Sequence, residues 1–411
     1  MVKQIKPEVE SFARIRVIGV GGSGNNAINY MIRSKVRGVD FIAVNTDAQA
    51  LHNSPAKKKI HIGKNITRGL GTGMNPELGK RSAEETKEEI QEALKGSDMV
   101  FVTGGMGGGT GTGASPSVAA VARELGALTI GVVTRPFSFE GKQRSNIAQE
   151  GINELKKQVD ALVMIPNDRI FAVVDENTGI KNAFALCDDI LKQAVEGIAD
   201  LITTPGIINV DFADIRSVME NAGSALMGIG RASGDKRAVK AAEEAINSPL
   251  LDVSIDGATG VLFAIAGGDD MSMMEVQEAA NTITSSVDPD AKVIFGAISD
   301  SNLKKGEVKV TVIATGFPEA DNLANDVINT DEKESSFFGG STKEKEVQKP
   351  EEKSVKVTHS ATPVPPIKST KSTQTTTESV SGSARVKKTE PKKDDHDDDW
   401  SAIPSFLKRS K

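Results

Sequence analysis

The run Gly104-Gly105-Met106-Gly107-Gly108-Gly109-Thr110-Gly111-Thr112-Gly113 restricts this chain's fold more than any other stretch: seven glycines in ten residues, directly after the apolar run Met99-Val100-Phe101-Val102. Such an apolar run reads as a buried strand, and glycines at its end let backbone N–H groups close in on an anion such as a phosphate. Two more glycine stretches obey the same grammar. The strand pattern of residues 14–20 runs into Gly21-Gly22-Ser23-Gly24 and then a helix, and Ile60-His61-Ile62 precedes Gly69-Leu70-Gly71-Thr72-Gly73. Strand, glycine loop and helix in repetition predict a mostly parallel sheet, which binds ligands beyond the carboxyl ends of its strands.

The rest of the chain extends this pattern. Further strands are expected over residues 41–44, 128–133 and 161–165, and helices over 76–89, 115–125 and 145–158. Pro76 and the acids after it suit a helix start. Residues 180–203 carry apolar side chains around much of the helical wheel, which predicts a long helix buried between two domains. A second α/β unit follows, with strands over 225–229, 260–265, 293–298 and 308–314 and helices over 236–246 and 272–285. From there Lys, Glu, Ser, Thr and Pro dominate, a composition that buries too little apolar surface to fold.

The expected architecture is therefore α/β: a Rossmann-like parallel-sheet domain (12–179) after a short extension (1–11), a central long helix (180–205) and a second, smaller α/β domain (206–318). A disordered tail comes last, made of a linker (319–393) and a terminal peptide (394–411). That peptide holds the chain's single tryptophan, Trp400, after an aspartate run, with Ile403, Pro404, Phe406 and Leu407 behind it. Apolar residues at the end of such a tail serve no core and suggest a docking peptide.

Composition narrows the function. No apolar run reaches the ~18 residues of a membrane span, and the first residues lack the apolar core of a signal peptide, so a cytoplasmic protein without direct membrane insertion is expected. One cysteine, Cys187, excludes an internal disulfide, and four scattered histidines offer no metal-ligand cluster. A net charge of −6 argues against general nucleic-acid binding.

Gly19-Val20-Gly21-Gly22-Ser23-Gly24 satisfies G-x-G-x-x-G, and Asp47 ends the next strand, so a dinucleotide-binding dehydrogenase is a rival reading. Three glycine loops on one sheet edge favour a longer phosphate chain over a single pyrophosphate. The P-loop pattern is absent, which leaves phosphate charge to backbone dipoles. Asp211 and Asp214 open a helix about 100 residues beyond the third loop. They suit a helix cap with a first-turn acid, or two carboxylates that polarise a water for phosphoryl transfer. Given the distance, the second role would act on a nucleotide held by another subunit.

With these motifs, Gly107–Gly113 and Asn209-Val210-Asp211-Phe212-Ala213-Asp214, the chain resembles the tubulin/FtsZ family of GTPases over residues 12–317. The resemblance implies that Gly21, Gly22, Asn26 and Ala48 contact the nucleotide. It also implies that Gly71, Thr72 and Gly73 approach the terminal phosphate and that Gly107, Gly108, Gly109, Thr110 and Gly111 hold the phosphates. Glu140 and Arg144 match ribose-side contacts. Asn167, Phe184 and Asp188 match the guanine side, Phe184 stacking and Asp188 accepting from the base, with Asp189 the alternative one register along. Asn209, Asp211 and Asp214 match the catalytic loop that closes over the GTP of the next subunit in a head-to-tail filament.

GTP/GDP and Mg2+ are the cofactors this resemblance implies, and a division-ring filament in the cytoplasm, concentrated at the division site, is the assembly. The tail resembles the family's peptide for membrane tethers and division regulators. It departs from the usual Leu-Asp-Ile-Pro in having Ser401-Ala402 before Ile403-Pro404, with Trp400 one position earlier.

Overall fold

A computed structural model describes residues 13–172, 179–204, 206–248, 255, 257–300 and 303–317. The chain divides into a unit of residues 1–328 and one of 329–411, and every described residue belongs to the first. The docking residues Trp400, Ile403, Pro404, Phe406 and Leu407 thus lie outside the described residues, as do the 1–11 extension and the linker.

The first strands and helices alternate as the glycine pattern requires. In chain order they are β1 (Ile15–Val20), α1 (Gly21–Arg33), β2 (Val39–Asn45), α2 (Ala48–Asn53), β3 (Lys58–His61), α3 (Lys64–Thr67), α4 (Pro76–Glu85) and α5 (Lys87–Leu94). There follow β4 (Met99–Gly105), α6 (Thr110–Glu124), β5 (Leu128–Arg135), α7 (Lys142–Lys156) and β6 (Ala161–Pro166). β1 and β4 are apolar on both faces because helices cover both: Val17 and Phe101 join the core under α1, while Ile18 and Val102 join the core under α6.

Past α8 (Ile180–Thr203) come α9 (Phe212–Met219), β7 (Gly223–Ser233), α10 (Arg237–Ile246), β8 (Gly260–Gly267), α11 (Met273–Thr284), β9 (Lys292–Ser299) and β10 (Glu307–Thr315). The second strand group does not form a sheet of its own. All ten strands share one sheet in the order β3-β2-β1-β4-β5-β6-β7-β10-β8-β9. The groups join where β6 and β7 pair in parallel from Ala161↔Gly223 to Val163↔Ala225. Among the described strands, β10, antiparallel to both β7 and β8, breaks the parallel run. α8 lies at the seam: Leu186, Ile190, Val195 and Ile198 are buried in one core with Phe101 and Ile130 of the first group and Leu262 and Ile313 of the second. Among the described residues, no helix is long and apolar enough to cross a membrane.

Two helices differ from expectation. The single helix over 76–89 breaks at Thr86, whose Oγ1 turns back to donate to the Ser82 carbonyl at 3.3 Å, a local bond that competes with helix continuation. α6 starts at Thr110 rather than Ser115, so Gly111 and Gly113 are helical. A Cβ on Gly113 would collide with the Pro76 carbonyl of α4, so the glycine permits close helix packing that outweighs its poor helix propensity.

Candidate functional site

The three glycine loops meet at the carboxyl ends of β1 and β4. They are held together partly by their own lack of side chains: a Cβ on Gly21 would stand 2.8 Å from the Gly111 nitrogen, and one on Gly109 would strike the Gly73 carbonyl and the Thr72 hydroxyl. Thr110 is the polar knot. Its Oγ1 lies 2.7 Å from Thr46 Oγ1 and 2.9 Å from Thr72 Oγ1, which ties the loops after β2, β3 and β4 to one point. The Ala48 amide donates to the Gly69 carbonyl at 3.2 Å, and the Gly107 amide to Thr112 Oγ1 at 2.9 Å.

Other glycines in these loops have no packing duty. Apart from the adjoining residues of its own chain segment, no described atom lies within 4 Å of where a Cβ would stand at Gly22, Gly71, Gly73 or Gly108. Gly22 and Gly108 also have ordinary backbone angles, so neither conformation nor crowding calls for glycine there. Open backbone at these positions leaves room for a ligand to reach the main chain. The helix ends agree. α2, α4, α9 and α11 are capped by Asp47, Asn75, Asp211 and Ser272, while α1 and α6, like α3, α5, α7, α8 and α10, have no side-chain cap; α1 and α6 are the two that start at the loops at the ends of β1 and β4, with their positive dipole ends there.

Buried polar atoms without partners gather around the same edge. Asn25 is 2% exposed with both amide atoms unpaired, and Asn167 Oδ1 and Arg144 Nε are unpaired as well. Such atoms are costly unless a ligand or water meets them. Sequence reasoning chose Asn26, which is exposed, and passed over the buried Asn25; the doubled asparagine was the available signal. On the adjoining side Glu140 pairs with Arg144 at 2.8 Å and also accepts from the Phe137 amide at 3.1 Å, so its direction is fixed. Phe184, 45% exposed, meets the Phe137 ring edge-on at 5.5 Å.

One helical turn beyond Phe184, Asp188 has no hydrogen-bond or ion-pair partner among the described residues, and burial pushes its carboxyl up to about 7. Asp189 is committed elsewhere: it accepts from the Tyr30 hydroxyl at 3.1 Å, Lys192 at 3.2 Å and Gln193 at 2.5 Å. The free acceptor next to the exposed ring is therefore Asp188. Asp47, the residue on which the dehydrogenase reading turned, accepts from the Gln49 and Ala50 amides at 2.8 and 3.0 Å as the cap of α2.

Asn209, Asp211 and Asp214 are not brought to these loops. α8 starts beside β6 and ends at Thr203, which crowds Gly38 just before β2, at the amino ends of the strands. Its 24 residues span about 36 Å. Arg216 of α9 donates to the Gly126 carbonyl just before β5 at 3.2 Å, which confirms that α9 sits at that far end. All three residues are exposed. Asn209 Oδ1 accepts from the Gly206 amide at 2.7 Å and Asp211 Oδ1 from the Asp214 amide at 2.9 Å, so Asp211 is a helix cap, while the Asp214 carboxylate has no partner among the described residues.

An open α/β sheet with uncapped helix ends and bare glycine loops at its carboxyl edge defines a protein class built to hold phosphates. Residues 14–175 match the family model described as the Tubulin/FtsZ family GTPase domain, and residues 223–318 that of the FtsZ family C-terminal domain. Among solved structures, an empty FtsZ dimer of M. jannaschii is 49% identical, covers 74% of this chain and 89% of its own, and superposes with a TM-score of 0.72. A GTPγS-bound CetZ2 protofilament from Haloferax volcanii is 21% identical over 78% of this chain and 98% of its own, with a TM-score of 0.66. The GDP-bound CetZ1 monomer of the same organism is also 21% identical, over 76% and 97%, with a TM-score of 0.65. The chain belongs to the tubulin/FtsZ family and carries its GTPase domain.

Proposed function

We propose that this chain binds GTP in the glycine loops and hydrolyses it once a second copy supplies its Asp211/Asp214 loop. Gly21, Gly22, Gly71, Thr72, Gly73 and Gly107–Gly111 take the phosphates through backbone N–H groups. Asn26 and Ala48 flank them, Glu140 and Arg144 hold the ribose side, and Asn167, Phe184 and Asp188 hold the base. An ionised Asp188 accepts from the two adjacent N–H groups of guanine, a donor pair that adenine does not offer. Asp214 orients and polarises the attacking water, with Asp211 and Asn209 shaping the loop.

The observation that carries this reading is that the loops and a free carboxylate lie at opposite ends of the sheet, spanned by α8, a helix about 36 Å long. One molecule cannot close that distance; two stacked head to tail can. A head-to-tail contact does not close on itself and so propagates as a filament. The related dimer and protofilament support self-association. Mg2+ fits as a phosphate-borne ion: among the described residues no acid or histidine group is set to hold a metal, and the Thr46, Thr72 and Thr110 hydroxyls are the neutral donors at the loops. Bound there, the ion offsets phosphate charge. In the cell the filament builds the division ring in the cytoplasm, and Trp400, Ile403, Pro404, Phe406 and Leu407 dock membrane tethers and regulators.

Phosphate release measured against protein concentration tests the proposal. Specific activity is expected to rise steeply with concentration, and to do so with GTP but not ATP. Turnover per molecule that stays constant on dilution would sink it.

A further inference from the structure

Besides the outer edges of its terminal strands β3 and β9, the sheet leaves a short length of strand edge open at the start of β2, which the nucleotide chemistry does not use. β2 pairs with β1 from Val39↔Ile15 to Val44↔Val20, but β3 joins its other side only from Ile42↔Lys58. Among the described residues, nothing pairs with the outer edge of Val39–Phe41. Open edges with free N–H and C=O groups are templates for another strand, and natural proteins block them unless they are used.

A cavity of about 420 Å³ lies along this edge and reaches both faces of the sheet. Val36 and Phe41 line it on the α1 side, and Arg16 and Ala93 on the α5 side. Its rim is cationic. Lys57 and Lys58 are exposed, and neither they nor Arg16 forms an ion pair among the described residues, though Lys58 also borders a neighbouring hollow that holds Glu88, Glu89 and Glu92. Arg16 is instead anchored to the Lys95 carbonyl and Ser97 Oγ, both at 2.9 Å, so its charge is held in place without being neutralised. Asp40 is the single acid in the lining.

We infer that the outer edge of β2 at Val39–Phe41 is a docking groove for an extended acidic segment of a partner protein, which adds as a short strand in line with β3. Its backbone would pair with the open edge, its alternate apolar side chains would enter the cavity, and its carboxylates would face Arg16, Lys57 and Lys58. The groove stands apart from the glycine loops, at the opposite end of β2, so occupancy need not displace nucleotide.

The test uses the full chain loaded with GDP and a short fluorescein-labelled synthetic peptide in which aspartate alternates with valine. Saturable binding by anisotropy is expected, together with slowed amide hydrogen exchange within Val39–Phe41. Combined Lys57→Glu and Lys58→Glu should weaken binding roughly tenfold, and Asp40→Lys should tighten it about threefold, the scale of a few partly exposed charge contacts. These positions are exposed, and unchanged GTP turnover would report that each variant is folded. Absence of saturable binding, equal binding of the same peptide with lysine in place of aspartate, or unaltered exchange at Val39–Phe41 overturns the inference. GTP turnover that is independent of protein concentration would overturn the assembly proposal while leaving this one standing.

Discussion

The two ends of α8 are built on opposite plans. At the end beside β6, glycine loops are locked to one another through Thr110, polar atoms are buried without partners, and helix amides stand free. At the other end, Asp211 caps α9, Asn209 ties back to Gly206, and Asp214 stands in solvent. The first end has donors awaiting an acceptor and the second a carboxylate awaiting a substrate. The lesson is that the burial of a polar group and its chemical readiness are separate matters: Asn25 is an anomaly without a ligand, whereas Asp214 is at ease in water and gains meaning only against another molecule.

Breaking the far end should have the largest effect. Asp214→Ala is expected to lower GTP turnover at least about 100-fold while GTP affinity by calorimetry stays unchanged, since an exposed first-turn acid contributes little to folding. Full turnover in this variant would dissolve the contrast. The near end can be divided by its glycines. Gly113→Ala, whose methyl meets the Pro76 carbonyl, should cost about 2–3 kcal/mol of stability in a denaturant titration. Gly108→Ala meets open space and should leave stability alone while weakening GDP binding roughly tenfold.

A pH titration sharpens the comparison further. The unfolded chain gives up the Asp188 proton near pH 4, whereas the buried carboxyl keeps it until about 7. Nucleotide-free protein should therefore lose stability as pH rises from about 4 to about 7, because the folded state must then ionise a buried group. Guanine needs the ionised form, so GDP affinity should fall as pH drops below about 7, by up to about tenfold per unit. A flat GDP affinity between pH 5 and 8, at about 0.5-unit steps, would remove Asp188 from the base. The smallest effect is expected from Tyr30→Phe, which loses one hydrogen bond to Asp189, about 1 kcal/mol, with guanine affinity retained. A loss of affinity as large as that of Asp188→Asn would move base recognition to Asp189.

Much of the fold is legible in the sequence because its signals are local. Apolar runs ending in glycine mark β1 and β4, and α8 begins and ends where its apolar pattern does, at Ile180 and Thr203. The break at Thr86 depends on which way one hydroxyl turns, and the helical start at Thr110 on the approach of Pro76, and periodicity contains neither. The union of two strand groups rests on three residue pairs between β6 and β7, a contact between segments about 60 residues apart. At the site, composition marks the glycine loops but not the division of labour within them. Gly109 and Gly113 serve packing, Gly22 and Gly108 leave space, and only coordinates separate the two. The doubled asparagine points to this turn of α1, but which of Asn25 and Asn26 is buried depends on how the helix faces the sheet, and residue type does not show that.

The threonine knot has a consequence in the direction of its protons. Thr46, Thr110 and Thr72 bring three hydroxyl protons to two hydrogen bonds, with Thr110 in the middle. Two protons are used within the chain and one is left over, free to point at an outside acceptor. If the spare proton leaves from the Thr72 end, both internal bonds run towards Thr72; if it leaves from the Thr46 end, both run the other way. A third arrangement leaves the spare proton on Thr110, with both neighbours donating to it; moving the spare proton from one end of the knot to the other reverses both internal bonds, with no heavy atom required to move.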